Sequence, residues 1–318
     1  MSFVFMGTPE FSTIVLDHLE EAGFLPAMTV TQPDRPCGRG QRYQASPVGR
    51  WSEQRGIPAL KPRNSRAPEL AEALEELAPE YLVTASFGQI LPARVLQIPR
   101  LGCLNVHASL LPRYRGASPI QSAILARDKE TGISIMLMDQ GLDTGPVLVR
   151  ESLVIPEDIN ASQLSLELAH LGGRLLGRII PSFLAGELTP EPQDPELATI
   201  TRLLQKSDGE IDFSLPARDV HNHIRGMNDW PGAFAFLNQR RYKVIKARVY
   251  DGPPLLGEAG KLHVTGRRMI VSCGEGALEL LEIQPQSGTA MSCSICSHNF
   301  TDGSVFDPCS RLDPELDG

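Results

Sequence analysis

The sequence predicts an α/β protein: a doubly wound, Rossmann-like sheet rich in parallel strands, followed by a smaller OB-like β-barrel. Three observations carry this expectation. From Phe3 to Leu184 short apolar strands alternate with helical segments, the pattern of a sheet covered on both faces. From about Gly186 the texture changes to ELTPEPQDPELATITRLLQKSDGEI, poor in core residues and broken by prolines, which reads as a linker. Beyond it lie short strands separated by turn residues, the signature of a small barrel. The expected boundaries are a first domain over 1–186, a linker over 187–207 and a barrel over 208–318.

Each element has a local reason. FVFMG reads as the first strand, and Pro9 to Ala22 as a helix with Ile14, Val15 and Leu19 turned inward at helical spacing. AMTVTQ is a second strand, followed by a polar, Arg- and Gly-rich loop from Pro33 to about Ala45. Ser46 as N-cap and Pro47 at the first helical position open another helix. Ala67 to Leu77 is helical, YLVTAS a buried strand and CLNVHAS another. Ser118 to Ala126 repeats the Ser-Pro opening; GISIMLMD and PVLVRESLVI are strands, and a long helix spans about Ala161 to Leu184. In the second region a helix from Pro216 to Gly226 precedes the strands AFAFLN, RRYKVIKARVY, GKLHVTG, RMIVSCG and ALELLEIQP. No internal repeat is seen.

The 318 residues suffice for one large and one smaller core, and 42% hydrophobic with 21% charged residues is ordinary for a globular protein. The start, MSFVFMGTPEF, lacks a basic n-region and a cleavage site, so no signal peptide is expected. No apolar stretch is long enough for a membrane span. Six sparse cysteines fit reduced thiols in a cytoplasm. Cys293, Cys296, His298 and Cys309 begin like a metal site. His298 follows too closely and a second C-x2-C is missing, so no metal is expected.

The net charge of −8 is unevenly spread. Arg35 to Arg66 carries eight basic residues against Glu53 alone, and Arg240 to Arg268 another eight against Asp251 and Glu258. A chain built this way can present a basic face to a polyanion while acidic overall, although Lys and Arg also simply solvate surfaces.

The chemistry centres on Asn105, His107 and Asp143. Alternate residues of an extended segment face the same side, so Asn105 and His107 point together while Val106 turns to a core. An amide donor beside an imidazole suits an oxyanion at a carbonyl under attack. A carboxylate arriving from Asp143 could orient that ring or hold its proton. No Ser or Cys nucleophile is needed, which points to direct acyl transfer. By themselves a strand-end Asn and His more often satisfy backbone groups. Gly7, Thr8 and Pro9 start like a dinucleotide fingerprint but GTPEFS lacks its later glycines, so no nucleotide cofactor is inferred.

NVHASLLPRYRGASPIQSAIL, the later GLDTG and the early FMGTPEF together resemble the folate-dependent formyltransferases. TQPDRPCGRG and IRGMNDWPGAFAFLN narrow the resemblance to the branch acting on methionyl-tRNA, and it runs from residue 3 to about residue 290. The resemblance implies a 10-formyltetrahydrofolate donor, and as acceptor the α-amino group of the methionyl initiator tRNA, for translation initiation. It implies Asn105, His107 and Asp143 as the catalytic trio. Asn105 and a protonated His107 would donate to the oxyanion, while Asp143 sets a negative charge beside the ring or relays the amine proton through water.

The resemblance further implies folate contacts along Ser86, Gly88, Gln89, Ile90 and Leu91, with the loop from Asp139 to Asp143. The SLLP run of Ser109, Leu110, Leu111 and Pro112 would add to these, with Leu110 packed on the ring. Arg35, Arg39 and Arg42 match an insertion that enters the tRNA acceptor stem, with Arg39 central. Arg241, Lys243, Lys246 and Arg248 would track the tRNA backbone, and the Gly7–Pro9 turn would meet the acceptor end. The protein is expected to act as a monomer without a metal. Rival readings are a formyltransferase for an amino sugar or a formyltetrahydrofolate hydrolase on the same scaffold, and a non-catalytic RNA-binding protein. The arginine-rich insertion and basic barrel favour tRNA over the sugar, and the intact trio argues against a binding-only role.

Overall fold

The first strand, β1 (Phe3–Gly7), is buried along its whole length, as its unbroken apolar run requires. A computed structural model describes residues 2–37 and 42–309, without the side chains of Cys37 and Arg42. Helix α1 (Glu10–Glu21) buries Phe11, Val15, Leu16 and Leu19, while Ile14, expected inward, is only half-buried. Strand β2 (Met28–Val30) leads to a hairpin, β3 (Arg35–Cys37) and β4 (Arg42–Gln44), where the sequence suggested only a loop. The tip of that insertion, including Arg39, lies outside the described residues.

Helix α2 (Pro47–Arg55) starts as expected, with Ser46 Oγ accepting from Gly49 N at 2.9 Å. Such a cap contributes about 1 kcal/mol. Strand β5 (Ala59–Leu60), helix α3 (Pro68–Leu77), strand β6 (Tyr81–Ala85), helix α4 (Ala93–Leu96) and strand β7 (Cys103–His107) follow. The short β8 (Arg115–Gly116) precedes α5 (Pro119–Leu125), β9 (Glu130–Leu137), β10 (Val147–Val154) and the long α6 (Ala161–Leu184).

Among the described residues these strands form a sheet ordered β10-β9-β7-β6-β1-β2-β5, parallel from β5 to β7 and antiparallel at β9 and β10. On one face Val4, Met6 and Leu82 pack with Leu70, Leu74 and Val95. On the other, Phe3 stacks on Tyr81 with centroids 5.0 Å apart, and Tyr81 meets Phe183 of α6 edge-on at 5.8 Å. The sheet is thus covered on both faces, as the alternation of elements predicts.

The chain forms two compact units, neither of them contiguous. The first holds everything up to Pro119, then Glu130–Val154 and Leu164–Arg202; the second holds Ile120–Lys129, Ile155–Gln163 and the chain from Leu203. Residues 187–202, expected as linker, are strapped to the first unit. Glu191 and Val147 exchange backbone hydrogen bonds at 2.8 Å, and β11 (Ile200–Thr201) pairs in parallel with β8. Such pairing between segments far apart in sequence, as from Arg115 to Ile200, leaves no periodicity to read.

Gly116 shows how tight the strap is. Its φ is +104°, and a Cβ there would run into the Thr201 carbonyl oxygen. Gly116→Ala is expected to destabilise the protein by about 2 kcal/mol, seen as a lower urea midpoint. An unchanged midpoint would contradict this packing.

The second unit opens with α7 (Ala217–Gly226) and continues through β12 (Phe234–Leu237), β13 (Arg240–Val249), β14 (Leu262–Thr265), β15 (Arg268–Ser272), β16 (Ala277–Pro285), β17 (Met291–Ser292) and α8 (Cys293–Cys296). Its curled antiparallel sheet is ordered β12-β13-β16-β15-β14, with β17 on β16, around Val220, Ile224, Val244, Leu262, Met269 and Leu280. The tail works at both edges of this sheet. Leu262 N donates to Ser304 O at 2.7 Å on the β14 edge, and Asp307 N to Phe236 O at 2.8 Å on the β12 edge. Cys293 and Cys296 belong to the core, and burial pushes the Cys293 thiol up to about 12. Among the described residues no cluster of His, Cys, Asp or Glu is suited to a metal, and no helix is long and apolar enough to cross a membrane.

Candidate active site

Asn105 and His107 share one face of β7, with Val106 buried on the other. In β6 Thr84 lies in register with Asn105, and its hydroxyl donates to Asn105 Oδ1 at 2.8 Å. With its oxygen satisfied, the Asn105 amide must present its N–H groups away from Thr84, and Nδ2 lies 3.4 Å from Asp143 Oδ1. Thr84 was legible as a hydroxyl in an otherwise apolar strand, but sequence reasoning passed over it.

His107 is 6% exposed and anchored at one corner. Its Nε2 lies 2.9 Å from the Tyr114 carbonyl oxygen, and a carbonyl can only accept, so Nε2 carries the proton. The free corner is Nδ1, which faces Asp143 Oδ2 at 3.6 Å. Asp143 Oδ2 also accepts from Gly116 N at 2.8 Å. One carboxylate therefore takes a backbone N–H and faces both the amide and the imidazole. The two side-chain approaches are long, which leaves the Asn105 amide, and Nδ1 when it carries a proton, able to reach a second acceptor placed between them.

Asp143 reaches the other two on the loop that follows β9. Strand β9 runs antiparallel to β7, and its end at Leu137 lies opposite Leu104. The loop after β9 therefore folds back to reach Asn105 and His107, rather than rising from the carboxyl ends of the parallel strands. It is braced within: Asp139 Oδ1 accepts from Gly141 N at 3.0 Å and from Thr144 Oγ1 at 2.7 Å. Asp143 itself has φ +51°, and Tyr114 and Ser86 also lie in the left-handed region, at +59° and +47°. Three non-glycine residues held there beside one site mark a locally over-determined backbone.

The remaining candidates divide by burial. Ser86, Gly88 and Ile90 are exposed and Gln89 half-buried, so this loop offers backbone to solvent. It is braced by three hydrogen bonds: Ser65 donates its N–H to Gln89 Oε1 and its hydroxyl to Ile90 O, and Gln32 Nε2 donates to Phe87 O. Gly88 has φ +75°, which a side chain would strain. Leu91 is in the core, so its side chain is already taken up. Leu111 is likewise buried, against Met136 and Val147. Ser109 is fully buried, its hydroxyl donating to Arg113 O at 2.6 Å, whereas Leu110 and Pro112 are half-buried. Ile90 at 63% and Leu142 at 46% exposure are large apolar side chains left in solvent beside these loops. At the first turn Thr8 Oγ1 accepts from Gln32 N at 3.3 Å, and Thr8 N donates to Ser12 Oγ.

Arg35 is exposed at the base of the hairpin, with Nη2 donating to Gln32 Oε1 at 2.6 Å. In the second unit, β13 pairs irregularly with β16 around Ile245. The bulge resets the alternation, so that Val244 and Ala247 are both buried while Arg241, Lys243, Lys246 and Arg248 share the outer side. Not all of that charge is available. Glu279 pairs with Arg268 and Arg248, which hold its carboxyl below the usual range, and Arg241 lies over the Phe234 ring at 3.9 Å. Lys246 is exposed and Lys243 half-buried on the same strand.

Residues 1–180 match the formyl transferase family, and residues 203–299 match the formyl transferase C-terminal domain. The chain is 42% identical over 313 residues to a methionyl-tRNA formyltransferase from Caldanaerobacter subterraneus subsp. tengcongensis, covering 96% of this chain and 100% of the relative. It is 44% identical over 289 residues to the Myxococcus xanthus enzyme of the same name, covering 91% of each. Among solved structures it resembles an N-formyltransferase from Helicobacter canadensis, with TM-score 0.68 and 17% identity, covering 90% of this chain and all of that one. It also resembles a methionyl-tRNA formyltransferase from Clostridium thermocellum, with TM-score 0.55 and 18% identity, covering 80% of this chain and 95% of that one.

Proposed function

Because the chain belongs to the formyl transferase family, in its methionyl-tRNA formyltransferase branch, we propose that it moves a formyl group from 10-formyltetrahydrofolate to the α-amino group of methionyl initiator tRNA. The observation that carries this reading is the convergence of Asn105 Nδ2 and His107 Nδ1 on the Asp143 carboxylate. The folate supplies an activated formyl group, whose carbon bonds to the amine nitrogen as its bond to the donor nitrogen breaks. Asn105 donates a hydrogen bond to the formyl oxygen as negative charge grows there. His107, protonated at both nitrogens and fixed through Nε2, donates the second from Nδ1. Asp143 holds the imidazolium and takes up the amine proton, directly or through one water, and that proton passes to the departing folate nitrogen, which leaves as a neutral amine. Because Nε2 is engaged by Tyr114 O, the oxyanion is approached from the Nδ1 corner.

The folate is assigned to the exposed backbone of Ser86, Gly88, Gln89 and Ile90, the loop from Asp139, and Leu110 and Pro112. Leu91, Ser109 and Leu111 shape this site from within. Two features of the chain support the fit: braced loop backbone able to match the hydrogen-bonding edge of a pterin, and apolar side chains at Ile90 and Leu142 for its flat faces. The tRNA is assigned to Arg35, Arg39, Arg42, Arg241, Lys243, Lys246 and Arg248, with the second unit as an OB-like barrel. Replacing Lys243 and Lys246 together with alanine is expected to weaken tRNA binding and lower the slope of log K against log salt by about 1.5, the release expected for two phosphates. An unchanged slope would remove this strand from the interface.

A formyl acceptor on an amino sugar is the second reading. The Helicobacter canadensis relative was solved with folinic acid and dTDP-3-aminofucose. Incubation with labelled 10-formyltetrahydrofolate separates the two. Label on methionyl initiator tRNA, and none on a nucleotide-linked amino sugar, is the expected result. Label on the sugar, or release as formate alone, would overturn the proposal.

A further inference from the structure

Asp143 is held by its own folded-back loop, by Gly116 N and by a side chain from elsewhere in the chain. That side chain is Gln193, in the stretch that the sequence marks as a linker. Its Nε2 donates to Asp143 O at 2.8 Å and to Gly145 O at 2.7 Å. A primary amide has two N–H bonds, so one side chain grips both carbonyls that flank the turn at Thr144. The acceptor end is fixed in turn: Gln193 Oε1 receives Arg115 Nε at 3.0 Å, and Arg115 is itself buried. This assigns the amide orientation, since the reverse would set a carbonyl oxygen against two others.

The same strap supports the opposite side of the site. Thr199 Oγ1 accepts from Tyr114 N at 2.7 Å, and Thr199 O accepts from Arg115 N at 2.8 Å. Tyr114 supplies the carbonyl that anchors His107, and Gly116 supplies the N–H that holds Asp143 Oδ2. The strap therefore touches the backbone on both sides of the His107–Asp143 contact. At 3.6 Å that contact tolerates little drift, and displacements of about an ångström in reacting groups cost on the order of a hundredfold in rate.

We propose that Gln193 is a positioning residue for the reaction: it fixes the Asp143 loop through two backbone carbonyls and so sets the carboxylate against Asn105 and His107. This rests on the assignment of Asp143 to the chemistry. Gln193 hydrogen-bonds the loop backbone and Arg115, so its larger effect falls on turnover through Asp143.

Two substitutions separate its contacts. Gln193→Leu removes the donors and the acceptor; Gln193→Glu keeps an acceptor for Arg115 and removes the donors. Both are to be measured in the full-length protein, with kcat, both KM values and folate binding read separately. The expected result is a fall in kcat of about 10- to 100-fold in each, with KM values and the folate Kd, whose site shares the loop from Asp139, moving several-fold less than kcat. Gln193→Leu is then combined with Asp143→Asn. If Gln193 works through Asp143, the second substitution costs less than about 3-fold once the carboxylate is gone. A structural role alone would give the same cost in either background and would move the thermal midpoint in parallel, and that outcome overturns the proposal. So does a Gln193→Glu enzyme with normal kcat. Should Asp143→Asn by itself leave turnover intact, the assignment of Asp143 fails, and the positioning role falls with it; normal turnover in the Gln193 variants beside an impaired Asp143→Asn condemns the positioning role alone.

Discussion

Asp143→Asn is expected to lower kcat by about two to four orders of magnitude, the range of a lost general acid–base group. The reason lies in the number of acceptors. The carboxylate meets Gly116 N with one oxygen and Asn105 Nδ2 with the other, and the first also faces His107 Nδ1. An amide has one acceptor oxygen. Turned to satisfy Gly116 N, it sets its own N–H groups against the Asn105 amide; turned the other way, it opposes the Gly116 N–H. Either orientation also removes the charge that holds an imidazolium. Folate and tRNA dissociation constants are expected to stay within a few-fold, because no substrate-binding charge is lost. Near-normal kcat in the purified variant would remove Asp143 from the mechanism.

Asn105→Ala is expected to cost about two to three orders of magnitude in kcat, the usual loss when one oxyanion donor is deleted. Its effect on folding should be small. The group left behind is the Thr84 hydroxyl, which has a second acceptor in Leu104 O at 3.2 Å and is not orphaned. Unchanged folate and tRNA binding with a collapsed kcat would show that the amide acts in the transition state alone. Equal weakening of substrate binding and turnover would instead make Asn105 a ground-state contact.

What the sequence made legible was local. The apolar runs of β1 and β6 and the Ser46-Pro47 opening of α2 follow from spacing and caps, and each is present. The common facing of Asn105 and His107 follows from strand period alone. What escaped depends on pairing between distant segments. The antiparallel course of β9 changes the direction from which Asp143 arrives, and no feature of GISIMLMD distinguishes it from a parallel strand. The strap at 187–202 reads as linker because its prolines exclude regular elements, yet those same stretches hydrogen-bond through Glu191, Gln193, Thr199 and Thr201. The hairpin β3–β4 escaped for the opposite reason: arginine, proline and glycine suggested a loop, and its pairing is only three residues long. The free charge of the Arg240–Arg268 stretch is smaller than its residue count, since Glu279, outside that stretch, pairs with Arg248 of β13 and Arg268 of β15.

In this mechanism Asn105 and Asp143 serve one transition state. The most direct test is the single-turnover rate of formyl transfer to methionyl initiator tRNA, at saturating folate and tRNA, for Asn105→Ala, Asp143→Asn and the double variant. If the two groups act as a unit, the double variant is expected to be no more than a few-fold slower than the worse single variant. A double variant slowed by the full product of the two single effects would mean that they contribute independently, and would contradict a shared catalytic cluster.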